Sequence, residues 1–408
     1  MTAFLLSTVA FSVVSQSLMD ASIILLLIAL CIQHFKAKNT AHISLRKLRK
    51  PYLFEIGFIL YILSICIGFL YYKIDLGSAA SSLIKFSWII NFYIFYWYFT
   101  TNKPNFKTLA LFFSLAFLIP NIYAISTFLY NYDFIRHTQL KDHRVIGLLN
   151  SATYHAHANA LIFAFFSSYT FFKFNELSKK LKIAYLLSSL LMGLSIFFTM
   201  TRGPILSLFL VFMFFIFKQS KKMFFYIFTI CLISFGILYT QTDLIKNRVA
   251  QTVDKSQIDN IRVNLFKVHI EMIKTSPFIG IGYTAPLNHT HGWWHTLNLP
   301  EDYYDSHAHN QLLNVWATTG VIGLISFCLF YFWFFIKNIQ LVRLFRHQKN
   351  LELYYIAVAC LVTQSEYIIA NFTDIGFEYS KIRTLILIVW ALVLALWTKQ
   401  KDLSYDNK

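Results

Sequence analysis

Residues 307–336 read HAHNQLLNVWATTGVIGLISFCLFYFWFFI, a polar stretch with two histidines running straight into a long apolar segment. About 20 mostly apolar residues suffice for a helix to cross a hydrocarbon core of about 30 Å. The segment from Gln311 onward therefore reads as a membrane helix, and His307 and His309 sit where it enters the bilayer. Similar runs recur along all 408 residues. We read twelve, near 3–17, 19–35, 52–72, 81–100, 108–130, 152–172, 183–199, 204–217, 223–240, 311–336, 353–370 and 384–398, the first two forming a tight hairpin.

Composition agrees. The chain is 57% hydrophobic, 18% aromatic and 13% charged, with mean hydropathy +0.54, values that exclude an ordinary soluble domain. A net charge of +17 would suit nucleic acid, but the basic residues lie in short loops between apolar runs and no soluble basic domain is present. No nucleic-acid partner is expected, and the charges are read as topology. Loops 36–50, 101–107, 173–182, 218–222, 337–349 and 399–408 hold 22 lysines and arginines, against 13 in the longer opposite set. The first set is expected in the cytoplasm together with both termini, because the number of spans is even. The long loop 241–310, between the ninth and tenth spans, then faces outward with loops 131–151, 200–203 and 371–383.

The expected fold is all-α and polytopic, one membrane domain over residues 1–408. The amino terminus has neither a basic n-region nor a small-residue cleavage site, so no removable signal peptide is read. Cys31, Cys66, Cys231, Cys328 and Cys360 all fall in expected spans, which indicates packing rather than a disulfide framework or a cysteine metal site.

Within the long loop, Ile261, Leu265, Val268 and Met272 keep helical spacing, and Ser276-Pro277 with Gly280 and Gly282 ends the element. The periodicity predicts an amphipathic helix lying on the membrane or the bundle. Arg262 in its first turn faces a cavity or snorkels to headgroups. Thr199-Met-Thr201-Arg202-Gly203-Pro204 makes a tight turn between two spans and puts Arg202 at the mouth of a helix hairpin. A cation there needs a partner. The arginine fork matches phosphate oxygens, and an ion pair with Asp374 or Glu378 is the structural alternative. Lys85 and Arg144 are further cations expected on the same face, as ligands of an anion or as interfacial anchors.

Ten of the thirteen histidines lie at or beyond the outer face, including the pairs His155/His157, His289/His291 and His307/His309. These spacings suit zinc or copper, but neither an HExxH pattern nor a cysteine ligand accompanies them, so no metal is expected. With a reference pKa of about 6.5, a neutral histidine can instead take a proton from an attacking hydroxyl.

His309-Asn310, nine residues, then Gly320-x-x-Gly323 resembles the H-[N/S/Q]-x9-G-x-x-[G/T/Y] pattern of bacterial O-antigen ligases, members of a larger superfamily of outer-face glycan polymerases and ligases. Thr201-Arg202-Gly203 resembles that family's arginine-bearing turn. Arg262 with Pro277-Phe-Ile-Gly280-Ile-Gly282 resembles its long-loop helix and exit. Arg144-x-x-Gly147 leading to His157-Ala-Asn159 resembles a further segment, although His157-Ala stands where a proline often precedes the asparagine.

The resemblance covers the overall layout and implies a GT-C-like membrane glycosyltransferase needing no cofactor. It implies transfer of O-antigen polysaccharide from undecaprenyl diphosphate to a hydroxyl of lipid A-core oligosaccharide, at the periplasmic face of a bacterial inner membrane. His309 would be the general base, with His307 as its alternate, and Arg202 and Arg262 would bind diphosphate, aided by Arg144 and Lys85. Asn310 would orient His309 or a sugar, Asn159 would contact substrate, and Asp374 would orient a histidine or bind acceptor hydroxyls. Glu366 reads as a buried polar contact. By itself His309 could simply cap the tenth helix; beside the two glycines and the outer arginines, catalysis is the preferred reading. Trp293, Trp294, Tyr283, Tyr303 and Tyr304 suit either sugar stacking or the membrane interface.

The closest rivals are an O-antigen polymerase and a protein O-oligosaccharyltransferase. A flippase or other transporter is disfavoured, because its ionisable residues belong near the bilayer midplane and these gather at one face.

Overall fold

The computed structural model describes residues 1–12, 14–38, 52–102, 117–243, 246, 250, 258–283, 292–299 and 307–406. Residues 108–116 of the expected fifth span, and His289, His291, Tyr303 and Tyr304 of the long loop, lie outside that set.

The principal helices are α1 (Thr2–Phe11), α2 (Gln16–Lys38), α3 (Leu53–Tyr71), α4 (Leu76–Ile84), α5 (Trp88–Thr101), α6 (Leu118–Tyr130) and α7 (Ala152–Lys173). They continue as α8 (Lys179–Phe198), α9 (Arg202–Gln219), α10 (Lys221–Gln241), α11 (Ile258–Thr275), α12 (Gln311–His347), α13 (Leu351–Ala370) and α14 (Ser380–Asp406). The protein is thus an all-α polytopic membrane protein. Among the described residues its one sheet is a two-residue ribbon pairing Tyr132 with Gln139 and Asp133 with Thr138.

Twelve spans were expected, and among the described residues eight helices are long and apolar enough to cross a bilayer: α2, α3, α8, α9, α10, α12, α13 and α14. The four others depart for separate reasons. α1 has only ten residues, and α6 is short within the described part. The expected span 81–100 is interrupted by a 3-10 turn, Lys85–Ser87, between α4 and α5. α7 has 22 residues but buries His155, His157, Asn159, Ser168 and Thr170, so its inward face is polar.

Lipid tails are as apolar as phenylalanine, so close packing rather than water exclusion holds such helices together. α12 lies along α3, with Gly57 against the backbone at Ser326 and Phe330. Around this contact Phe58 meets Phe330 edge-on at 4.8 Å, and Phe334 stacks on Trp390 of α14 at 5.0 Å. At the far end of the bundle, Lys173 pairs with Glu176 and Glu352, and Tyr169 donates to Glu352 at 2.9 Å. That cluster joins α7 to α13 and partners the buried cation.

α12 is broken at Gly320, whose φ of 69° and ψ of −176° are open essentially only to glycine. The backbone of residues 277–282 docks into the break. Ile281 N–H donates to Ala317 O at 2.9 Å, Gly282 N–H to Thr318 O at 3.1 Å, and Val321 N–H to Pro277 O at 2.9 Å. A Cβ on Gly320 would overlap the Phe278 carbonyl, while one on Gly323 would meet the Thr319 and Ser64 hydroxyls. Of the two glycines expected to admit a neighbouring helix, Gly323 does so toward α3 and Gly320 instead admits the chain leaving α11. Gly320→Ala is expected to cost about 3 kcal/mol or more through backbone strain plus overlap. A large fall in the Tm of the purified variant checks this.

The loop between α13 and α14 is equally fixed. Phe377 inserts into the aromatic core, 5.1 Å from Trp88 and 5.3 Å from Phe327. Its N–H donates to Gln311 Oε1 at 3.0 Å, and its carbonyl accepts from Arg383 at 3.0 Å. The five cysteines are free and lie in α2, α3, α10, α12 and α13.

Candidate functional site

A polar cavity of about 640 Å³, open at its mouth, lies at one end of the bundle. Arg144, His157, Arg202, Arg262, His309 and Asp374 all line it. The start of α7, the α8–α9 turn, the first turns of α11, the residues before α12 and the α13–α14 loop each supply part of the wall.

Arg144 is held from two directions. Its Nε donates to Thr199 O at 3.1 Å and its Nη2 to Thr201 Oγ1 at 3.3 Å, a cation on the last carbonyls of α8 where the helix dipole favours it. Behind it, Arg136 pairs with Asp133 at 2.6 Å and donates to Gly147 O and Leu149 O, fixing the outer loop. Gly147 has φ 59° and lies against the His155 ring, leaving no room for a Cβ. His155 Nε2 is 2.7 Å from Ser195 Oγ, and Asn159 Nδ2 is 3.2 Å from the same ring nitrogen. Asn159 therefore braces the loop that presents Arg144 and does not line the cavity, which differs from the substrate contact expected of it.

Arg202 is the first residue of α9, and Thr201, Gly203 and Pro204 line the cavity beside it. The positive end of a helix dipole and a guanidinium thus face the same space. Gly203 lets the α13–α14 loop approach, because a Cβ there would overlap the Thr373 hydroxyl. Met200 in the preceding turn takes φ 52°, a left-handed conformation costing roughly 1–2 kcal/mol for a residue with a Cβ. Arg262 reaches the cavity from α11, which Leu265, Val268 and Met272 bind into a cluster with Trp294 and Ala317.

His309 also has a left-handed backbone, φ 46°. Its Nδ1 lies 3.6 Å from Asp374 Oδ1, and His157 Nε2 lies 3.3 Å from Asp374 Oδ2. Tyr379 donates to Oδ1 at 3.2 Å. Asp374 is 4% exposed. Burial pushes its carboxyl up, and the His157 and His309 imidazoles more than offset this, holding it well below the usual carboxylate range. Asn310 does not reach a ring: its Oδ1 caps α12 by accepting from Leu313 N–H at 3.0 Å, and its Nδ2 donates to Phe372 O at 3.2 Å. It acts on His309 only by tying that segment to the loop bearing Asp374. His307 stacks obliquely on His309 with centroids 4.5 Å apart, and its Nε2 is 3.5 Å from the Tyr379 hydroxyl.

Residues 187–328 match the O-antigen ligase family model. No curated protein matched the chain. The match covers about a third of the sequence and is a likeness over that stretch. Arg202, Arg262, His309, Gly320 and Gly323 fall inside the ligase stretch, whereas Arg144, His157 and Asp374 come from outside it and complete the same cavity.

Beyond the ligase stretch, Lys85 lies in the 3-10 turn before α5, and its side chain is outside the described set. Two loop aromatics expected at sugars or the interface are structural: Trp294 is 1% exposed in the α11 cluster, and Tyr283 donates to Glu378 Oε2 at 3.0 Å. The expectation that Arg202 might pair with Asp374 or Glu378 meets carboxylates already engaged by the histidines, Tyr379 and Tyr283. His307, His309 and Asp374 offer ligand atoms within 4.8 Å of one another, the one such group among the described residues able to hold a metal ion. His157 was visible in sequence only as half of a histidine pair; its link to Asp374 joins residues 217 positions apart and has no local signature.

Proposed function

We propose that the protein is an O-antigen ligase that transfers a polysaccharide from undecaprenyl diphosphate to a sugar hydroxyl of lipid A-core oligosaccharide. The observation that carries this reading is the convergence of three guanidiniums and a carboxylate-backed imidazole on one cavity. Arg202, Arg262 and Arg144 bind the diphosphate. Asp374 Oδ1, 3.6 Å from His309 Nδ1, favours the tautomer with its proton on that nitrogen, which leaves Nε2 as the basic atom. The acceptor oxygen attacks the anomeric carbon as its proton passes to Nε2. The bond from that carbon to the diphosphate oxygen breaks, and its electron pair leaves with the lipid diphosphate. Direct displacement inverts the anomeric centre.

The arginines neutralise charge growing on the leaving group, so they act in the transition state rather than on the substrate alone. No cofactor or metal takes part in this scheme, because the leaving group is already activated and His309 supplies the base. An apolar cleft lined by Leu161, Phe165, Leu385 and Val389 lies deeper between α7 and α14. Leu161 and Phe165 follow His157 at four-residue steps on one face of α7, a course suited to an isoprenoid chain whose diphosphate sits above. The protein is placed in a bacterial inner membrane, with both termini cytoplasmic and the cavity periplasmic. Residues 241–310 form the large periplasmic loop of a single membrane domain.

A strain lacking the protein is expected to make core lipopolysaccharide with no O-antigen attached, while polymer accumulates on undecaprenyl diphosphate. Single O-units on the core would identify a polymerase instead. In the purified system, transfer that survives EDTA undiminished is expected, and its loss would return the His307, His309 and Asp374 group to a metal role.

A further inference from the structure

His157 is 2% exposed, on α7, and its Nε2 stands 3.3 Å from Asp374 Oδ2. The other oxygen of that carboxylate faces His309 Nδ1 and receives the Tyr379 hydroxyl and the Ile375 N–H. The contacts on each oxygen limit rotation of this carboxylate, and His157, 3.3 Å away, is the side chain against Oδ2. We propose that His157 is a positioning residue: through Asp374 it fixes the tautomer and direction of His309, so that Nδ1 carries the proton and Nε2 is free to accept one. This rests on the proposed transferase reading. It places a buried imidazole behind the carboxylate, outside the matched ligase stretch.

The charged groups facing His157 come from several elements. Arg202 of α9, Arg262 of α11, Arg144 of the outer loop and His309 share its cavity. Glu366 of α13, which accepts from Ser207 at 2.9 Å, is within electrostatic reach. His157 packed against Oδ2 keeps the carboxylate aimed at His309 as that ring becomes cationic.

The test compares wild type, His309→Ala, His157→Ala and His157→Gln, reconstituted with undecaprenyl-diphosphate-linked polysaccharide and lipid A-core. Glutamine can present an N–H near the position of imidazole Nε2. His157→Ala is expected to lower kcat about 10- to 100-fold, to change the KM for the lipid-linked donor less than twofold, and to displace the acid limb of the pH profile. His157→Gln should recover most of kcat. A raised donor KM with unchanged kcat would make His157 a diphosphate ligand and overturn the proposal. So would equal losses in both variants with a lowered Tm, the mark of a purely structural residue, or full activity in His157→Ala. If wild type fails to transfer, or His309→Ala is fully active, the transferase reading itself fails.

Discussion

His309→Ala is expected to reduce transfer by roughly 10²–10⁴-fold, the usual contribution of a positioned general base. In cells that make O-antigen, core lipopolysaccharide should stay uncapped while undecaprenyl-linked polymer builds up. Normal capping would remove the imidazole from the mechanism. The Tm of the variant should change little, because Asn310 rather than His309 caps α12, and an alanine at φ 46° trades one left-handed residue for another. The pH response has a definite sign. Asp374 is held below the ordinary carboxylate range, so its contribution to stability and to orienting His309 is complete above that range and is lost only as pH falls through its lowered value. An acid limb at higher pH therefore reports protonation of an imidazole.

Arg202→Ala and Arg262→Ala are each expected to lower kcat by roughly 10²–10³-fold, about 3–4 kcal/mol, as for removal of one donor from a developing anion. Lysine at either position keeps the charge but loses the paired donors, so partial recovery is expected, larger at Arg262, which is exposed, than at the half-buried Arg202. If both guanidiniums hold one diphosphate, the double variant should lose less than the product of the single losses. Unchanged kcat/KM in Arg202→Ala would mean that the anion binds elsewhere.

The membrane character of the chain was legible because span length is set by the bilayer, and the expectation that Arg202, Arg262 and His309 lie at one end of the bundle agrees with their shared cavity. What failed to show was which polar residues touch each other. Asp374 is central to the cavity, and the sequence left open whether it orients a histidine or binds acceptor hydroxyls, and which histidine it meets. Its partners come from α7 and from the residue before α12, and long-range pairs leave no periodicity to detect. Asn310, expected to orient His309 or a sugar, caps a helix and bonds the Phe372 carbonyl, and the Asn159 Nδ2 meets the His155 ring. α7, read from sequence as the span 152–172, carries histidines and hydroxyls on its inward face, which lower its hydropathy and give the cavity a wall.

The break at Gly320 has a mechanical consequence. Of the 37 residues of α12, those from Val321 onward would make a rod about 40 Å long. A pivot of about 5° would swing the end of such a rod by about 3 Å, and a misplacement of about 1 Å can cost a hundredfold in rate. At Gly320 the rod is interrupted, and its outer segment is clasped instead by the chain leaving α11, the helix that carries Arg262. The segments bearing His309 and Arg262 are thereby tied to each other at the break rather than through the length of the lower shaft.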